Sequence, residues 1–511
     1  MKQPVGKAVN KVFNRLTITV ALILVQLFWF GVMLLKLTEY ASWISVVFTV
    51  GAALMALFII WRDDNPAYKI GWILLVCLLP ILGATMYAFF GNKRPSKSLK
   101  HKIEPQEAIH REDLRQEDDL GEITSTRLLD TIRYIAEKGP YPAWTDTQSR
   151  YYSVGDDAFP EMLEDLKKAK HFIFMEYFIL AEGEMWQEIF DVLKEKAAEG
   201  VDVRIIYDDV GSINRTPKRF LSILAENGIK VLPFNPLTPI ASLIYNNRDH
   251  RKILVIDGYI AYSGGFNIAD EYINRIVRFG HWKDTGIRLE GHGVWNFTVM
   301  FLNMWNAFVK TDTDYSKFRP HVHHPTEFGS DGIVQPYADS PLDDENMGEN
   351  VYLEILSQVE DYVYIFTPYL IIDNEMKTSL VLAAKRGVDV RIVTPAIPDK
   401  KMVFRLTRSY YEPLIKAGVK IYEYTPGFIH AKSYISDDKI GVVGTINMDY
   451  RSLFLHFECG TLMIGCEALQ DLKKDCLQTI AQSREIRHED CRRGFFGLLF
   501  DSVLRVISPL L

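Results

Sequence analysis

Cysteine is scarce and scattered. The chain has Cys77, Cys459, Cys466, Cys476 and Cys491, an odd number with no CxxC pair. That excludes a disulfide framework and a cysteine zinc site, and leaves reduced, buried thiols. A basic excess is missing too: 65 acidic residues outnumber 58 lysines and arginines, for a net charge of −7. A general nucleic-acid binder carries a basic surface to neutralise phosphates, so no nucleic-acid partner is expected. Charge itself is absent from three long runs, Thr17 to Leu35, Ala41 to Trp61 and Ile70 to Phe90. Each is close to the roughly 20 residues that carry a helix across bilayer hydrocarbon, and buried helices of soluble cores rarely exclude charge for so long. Three in succession also exclude a lone cleaved signal peptide.

What surrounds those runs gives a topology and a conflict. Trp43, Trp61, Trp72 and Tyr87 lie near their ends, where amphipathic rings favour the headgroup layer. Lys2, Lys7, Lys11 and Arg15 precede the first run, and Lys93, Arg94, Lys97, Lys100 and Lys102 follow the third. Basic flanks stay on the cytoplasmic side, so both should lie there, which three full crossings cannot satisfy. The third run is expected to fail to span, broken at Pro80 and Gly83 into a re-entrant or interfacial hairpin. The basic flank also suits attraction to anionic headgroups. Residues 103–122, rich in Glu, Asp and Gln, read as a solvated linker.

At 511 residues there is room for two or three domains, and the remainder repeats itself. Gly200-Val-Asp-Val-Arg-Ile recurs from Gly387, and Glu226-Asn-Gly-Ile-Lys-Val is matched from Lys416. Strand-like runs, His171 to Leu180 and Asp361 to Ile372, precede the glycine units, followed by helical stretches. The pattern predicts two duplicated α/β lobes, with glycine closing each helix before the next strand. The first lobe carries an insertion of about ten residues at Pro236 to Asn247, whose Pro, Ser and Asn content suits a surface loop. His321, His323 and His324 stand between Pro320 and Pro325 at the joint of the lobes. No carboxylate or cysteine sits at ligand spacing beside them, so they read as linker, not metal site.

Each lobe contains H-x-K-x4-D: His250, Lys252 and Asp257 in the first, His430, Lys432 and Asp437 in the second. One match is weak. Two, equivalently placed in a duplicated chain, are strong. In a strand, residues i and i+2 share a face, so each histidine projects beside its lysine. Two such lobes packed about a pseudo-twofold axis bring two imidazoles and two ammonium groups together, a pocket for a phosphate. One neutral histidine can attack phosphorus and the other, protonated, can serve the leaving oxygen, while the lysines stabilise non-bridging oxygens. The repeat also aligns Asn267 with Asn447, candidates to donate amide N–H bonds to phosphate. It aligns Asp284 with Glu458, candidates to fix imidazole tautomers, with the pairing left open. Asp257 and Asp437 belong to the motif, but a strand-to-turn boundary favours a structural role for them.

At these residues the chain resembles the phospholipase D superfamily, and within it the bacterial cardiolipin synthases, over nearly its whole length. Asn65-Pro66-Ala67 with Lys69 and Trp72, Glu176-Tyr177-Phe178, His281-Trp282-Lys283-Asp284, Asn447-Met-Asp-Tyr-Arg-Ser452 and the terminal Ser508-Pro509-Leu510-Leu511 carry the likeness. The departures are Phe178 where a second tyrosine is expected, and three apolar segments where some members have two. The resemblance implies phosphatidyl transfer between two phosphatidylglycerol molecules, giving cardiolipin and glycerol with no metal or other cofactor. It further implies His250 as nucleophile and His430 as acid/base, an order the residues alone do not fix. The implied partners are anionic phospholipid and the membrane, and the implied location is the bacterial plasma membrane, multi-pass.

The expected organisation is a membrane anchor over 1–92, a basic then acidic linker over 93–140, lobes over 141–325 and 326–490, and an amphipathic helix over 491–511. In that last segment Phe496, Leu499, Phe500, Val503, Leu504 and Ile507 form one helical stripe. It either lies in the interface, holding the active site near the lipid plane, or packs on the lobes or the anchor. Competing functions are a membrane-bound hydrolase using water as acceptor, another phosphatidyltransferase, a nuclease, and a non-catalytic lipid-binding scaffold. Two intact motifs count against the scaffold.

Overall fold

The computed structural model describes residues 15–34, 41–91, 97–115, 120, 125–217, 219–236 and 247–510. The insertion expected between Pro236 and Asn247 falls on 237–246, outside the described residues, as do the first basic flank up to residue 14 and Lys93 and Arg94 of the second. The chain divides into two compact units. One holds the N-terminal apolar helices with the C-terminal helix; the other runs from Ser96 to Arg493, apart from residues 237–246.

In the first unit, helices cover Arg15–Leu34, Ala41–Trp61, Pro66–Leu78 and Pro80–Phe90. Trp43–Trp61 is, among the described residues, the helix long and apolar enough to cross a membrane. Val46, Val47, Leu54 and Leu57 lie exposed along it, as lipid-facing side chains would. The third apolar run is broken at Leu79, because Pro80 has no N–H to continue the preceding helix. Gly83 has a different role from the one expected. It breaks nothing; a Cβ there would stand 2.4 Å from the Leu75 carbonyl oxygen, so glycine lets the two short helices pack closely. Tyr68 Oη donates to the Gly91 carbonyl at 3.1 Å, tying the start of the first helix to the end of the second. The C-terminal helix Phe495–Ile507 packs on Pro66–Leu78. It buries Asp501 and Leu504 and leaves Phe495, Phe496, Leu499, Phe500 and Val503 exposed.

The second unit is the duplicated body. Its first lobe has strands β1 (Thr147–Tyr152), β2 (Phe172–Tyr177), β3 (Asp202–Asp208), β4 (Lys230–Phe234), β5 (Lys252–Ile256), β6 (Ile260–Gly264), β7 (His281–Lys283) and β8 (Gly286–Gly291). The second has β9 (Ile333–Asp339), β10 (Tyr362–Phe366), β11 (Leu370–Ile371), β12 (Asp389–Pro395), β13 (Lys420–Tyr424), β14 (Gly427–Ile429), β15 (Ser433–Ser436), β16 (Ile440–Gly444), β17 (Met448–Asp449), β18 (Glu458–Ile464) and β19 (Ser483–Ile486). The large sheets run β1-β8-β6-β5-β2-β3-β4 and β9-β18-β16-β15-β10-β12-β13-β19. These orders superimpose strand for strand, with β19 added at one edge. β2, β3 and β4 pair in parallel, as alternating strand and helix requires, while β5, β6 and β8 meander antiparallel beside them.

The lobes share one core. Helix Val294–Phe308 is buried along nearly its whole length, and its Trp295, Phe301 and Trp305 join a cluster with Ile253 and Val255 of one lobe and Ile435, Val443 and Phe457 of the other. Protein surrounds it on every side, so it is mostly apolar, and its buried Asn296 and Asn306 are satisfied by hydrogen bonds to neighbouring backbone. The stretch read as a solvated linker is corrected: helix Lys97–Ile109 sinks Leu99 and Ile103 into that same core, joined by Leu114. Helix Thr126–Lys138 likewise buries Leu128, Ile132 and Ile135. The charged residues between these apolar positions hid them from a reading based on composition.

Candidate active site

His250 lies two residues ahead of Lys252, the first residue of β5, and His430 stands just past β14, ahead of β15. Each is fixed through its backbone by the opposite lobe. The His250 N–H donates to the Phe457 carbonyl at 2.9 Å, and the His430 N–H donates to the Lys283 carbonyl at 2.7 Å. Phe457 immediately precedes Glu458, and Lys283 immediately precedes Asp284. The carboxylates are therefore delivered across the interface. His250 Nδ1 is 2.9 Å from both Glu458 carboxylate oxygens, and His430 Nδ1 is 2.6 Å from Asp284 Oδ2. The pairing left open by the sequence is crossed: each lobe orients the other lobe's imidazole. Parallel pairing of β7 with β14 holds one crossing in register, and the Asp249–Phe457 bridge holds the other.

The two carboxylates sit differently. Glu458 accepts hydroxyl hydrogen bonds from Thr445 and Ser452, each at 2.5 Å. Ser452 is set in place by the short helix Tyr450–Phe454, which Asp449 caps. The first-lobe counterpart of Thr445 is Gly265, where a Cβ would fall 1.9 Å from Asp284 Oδ1. Glycine is required there because the shorter Asp284 occupies that space, and it receives the Thr285 N–H at 2.9 Å instead. Burial alone would push Asp284 up, but His430, Lys432 and that amide hold it below the ordinary carboxylate range. Glu458 is pushed up by burial.

The histidine and lysine of both motifs are buried. Lys252 Nζ donates to the His250 carbonyl at 2.5 Å, and Lys432 Nζ approaches the His430 carbonyl and its Nδ1, the latter at 2.8 Å. Burial draws Lys252 down to about 8 and Lys432 to about 7. Burial, then the charges of Lys252, Lys432 and His430, hold His250 well below 6.5. Burial and Lys432 bring His430 to about 4. Rings complete the walls. Phe178 meets His250 edge-on at 5.0 Å and Tyr272 meets His430 edge-on at 5.6 Å. Behind β5, Arg251 points away from the centre and pairs with Glu176 at 2.5 Å.

Of the other expected site residues, the two aspartates lie elsewhere, Asn267 is engaged and Asn447 Oδ1, among the described residues, is not. Asp257 and Asp437, counted with the catalytic motif, stand at the far ends of β5 and β15. Asp257 accepts from the amides of Lys170, His171 and Phe172 at 2.8–2.9 Å, and Asp437 accepts from Glu360, Asp361 and Tyr362 at 2.8–3.0 Å. A strand of this length puts them roughly 16 Å from their lysines, so they cap neighbouring strands and do not face phosphate. Asn267 donates one amide N–H to Tyr272 Oη at 2.8 Å and accepts from the Ile179 N–H at 3.0 Å. Asn447 is buried, with its Oδ1 unpartnered among the described residues. Thr445, Ser452 and Tyr272 were missed by sequence reasoning. The Asn447–Ser452 signature was a signal for Ser452; the others had none.

A duplicated α/β body with two H-x-K motifs and crossed carboxylates defines a phospholipase D-like domain. Residues 162–277 and 352–479 match the family described as "Cardiolipin synthase, PLD-like domain", and residues 51–92 match "Phospholipase_D-nuclease N-terminal". A cardiolipin synthase of Halalkalibacterium halodurans is 32% identical over 98% of this chain and 99% of its own length. Cardiolipin synthase 1 of Bacillus anthracis is 34% identical over 93% and 96%. An uncharacterised protein of Streptococcus mutans is 45% identical over 86% and 96%. The chain belongs to the cardiolipin synthase family. In fold it resembles a crystal structure of phosphatidylserine synthase from Haemophilus influenzae, with a TM-score of 0.55 at 15% identity, over 75% of this chain and 100% of that one.

Proposed function

We propose that this protein is a cardiolipin synthase that moves a phosphatidyl group from one phosphatidylglycerol to another through a phosphohistidine on His250. The crossed carboxylate–imidazole pairs carry this reading. Donating Nδ1–H to Glu458 leaves the His250 Nε2 lone pair free to attack phosphorus, and burial keeps that ring neutral. Free His430 is held neutral by burial and the Lys432 charge; a bound phosphodiester anion offsets that charge, so His430 takes up a proton. As the N–P bond forms and the bond from phosphorus to the glycerol oxygen breaks, it gives that oxygen its Nε2 proton. Asp284, held anionic, stabilises the imidazolium. Neutral His430 then takes the hydroxyl proton of the second phosphatidylglycerol, whose oxygen displaces His250 from phosphorus. Lys252 and Lys432 stabilise the charge on the non-bridging oxygens.

Purified protein given phosphatidylglycerol alone should yield cardiolipin and glycerol in equal amounts. Phosphatidic acid as the main product would make the protein a hydrolase. His250→Ala should abolish turnover and the acid-labile labelling of the enzyme; normal turnover would remove His250 from the nucleophile's role.

The anchor is proposed to be multi-pass, with Arg15–Leu34 and Ala41–Trp61 crossing and Pro66–Phe90 re-entering as a hairpin. Both basic flanks then lie on one side. Cysteines introduced one at a time at Asn10 and Pro95, in a Cys77→Ser background whose remaining four thiols are buried, should react with an impermeant reagent from the same face. Labelling from opposite faces rules the hairpin out.

A further inference from the structure

His456 stands beside the centre with no part in the reaction above. Its side chain is 11% exposed, and its Nδ1 lies 3.7 Å from Glu458 Oε1. Its ring is 5.6 Å from that of His250, centroid to centroid. Neither of its nitrogens has a hydrogen-bond partner among the described residues. A buried imidazole without hydrogen bonds is costly unless something ligates it. The ligand atoms of His250, His456 and Glu458 all lie within 4.8 Å of one another, the one such His, Cys, Asp and Glu grouping among the described residues.

We propose that His250, His456 and Glu458 bind a divalent transition-metal ion of the zinc class, and that this ion switches the enzyme off. Zinc bonded at about 2.0–2.2 Å to two imidazoles and a carboxylate, in tetrahedral geometry, sets its ligands roughly 3.3–3.5 Å apart. The 2.9 Å between His250 and Glu458 and 3.7 Å between His456 and Glu458 lie on either side of that spacing, and the third pair falls within 4.8 Å. Small side-chain shifts bring all three to one ion, and water completes the fourth position. Two imidazoles select zinc, nickel or copper and disfavour magnesium and calcium, which prefer oxygen. The chemistry of inhibition is a tautomer change. The ion takes the Nδ1 lone pair of neutral His250, so the single ring proton moves, through water, from Nδ1 to Nε2. Nε2 then has no lone pair for phosphorus, and Glu458 exchanges a hydrogen bond for a metal bond. This inhibitory half rests on His250 being the nucleophile; the binding half rests on geometry alone.

The two halves separate in one experiment on the full-length protein in detergent micelles. Cobalt(II), titrated as a zinc surrogate, should give a visible absorption band that saturates at one ion per chain and is erased by zinc but not by magnesium. His456→Ala and His456→Asn should weaken zinc binding by roughly a hundredfold, as loss of one of three protein ligands does. Zinc should suppress cardiolipin formation in the native chain and spare it in both variants. Cobalt or zinc binding unchanged by either substitution overturns the site. Binding that depends on His456 but leaves phosphohistidine formation intact keeps the site and overturns the inhibition. A protein that makes no cardiolipin would still report the cobalt band, so failure of the synthase reading is distinguishable from failure of the metal site.

Discussion

Lys252 and Lys432 are common side chains in an uncommon setting. Burial brings them to about 8 and about 7, within reach of physiological pH. A lysine with a depressed pKa is cationic only below it, so the positive charge facing phosphate is complete in mild acid and fades as pH climbs. His250 behaves differently: its pKa lies well below 6.5, so it stays neutral and nucleophilic across the same range. His430, held to about 4, must also carry its proton, so the profile of kcat/KM, which reports the free enzyme, should decline gently above that value and steepen from about pH 7 upward. Lys432→Arg tests the cause, because guanidinium stays protonated beyond pH 12 or so. The peak rate should drop, since a planar fork replaces a compact ammonium, but the alkaline limb should move up by about a unit or more. A limb that stays in place would assign the alkaline loss to another group.

At the scale of elements, each H-x-K motif is followed by a hairpin that secures the strand carrying it. Asp257 has φ +50°, a left-handed turn that Asp and Asn tolerate, and its carboxylate gathers three amides at the start of β2. Asp257→Asn keeps the turn preference but removes one acceptor oxygen and the charge, for a loss of about 1–2 kcal/mol. Thermal unfolding should begin a few degrees lower, while kcat/KM of the folded enzyme stays within about twofold. A large kinetic loss at unchanged stability would return Asp257 to the catalytic group. This division shows what the sequence made legible. The two-residue spacing put each His beside its Lys without any tertiary information, although β5 starts only at Lys252 and β15 at Ser433, so each motif leads into its strand. Pro80 announced the broken third apolar helix. The repeat identified Asp284 and Glu458 as equivalent, yet equivalence within lobes says nothing about partners between them. Thr445 and Gly265 align in the repeat, but their opposite roles depend on the length of the carboxylate each faces. Leu99, Ile103 and Leu114 stayed hidden because charged neighbours dominate their stretch.

At the scale of the molecule, crossing makes neither lobe a catalyst alone. Each imidazole takes its tautomer from the other half, and the contacts that aim the carboxylates are the same ones that dock the lobes. Function and assembly are thus one interaction, which predicts a mutational pattern that ignores lobe boundaries. Asp284→Asn, in the first lobe, should impair protonation of the leaving oxygen by His430 in the second. Glu458→Gln, in the second lobe, should impair attack by His250 in the first. A phosphatidyl ester with a nitrophenolate leaving group separates the two, because that group departs without a proton. His430→Ala and Asp284→Asn should lose at least about a hundredfold with phosphatidylglycerol and recover much of it, in the first-turnover release of nitrophenolate, with the activated ester. His250→Ala and Glu458→Gln should lose activity with both, since no leaving group substitutes for the nucleophile. If the variants sorted by lobe, with Asp284→Asn behaving like His250→Ala, each carboxylate would serve its own lobe during turnover.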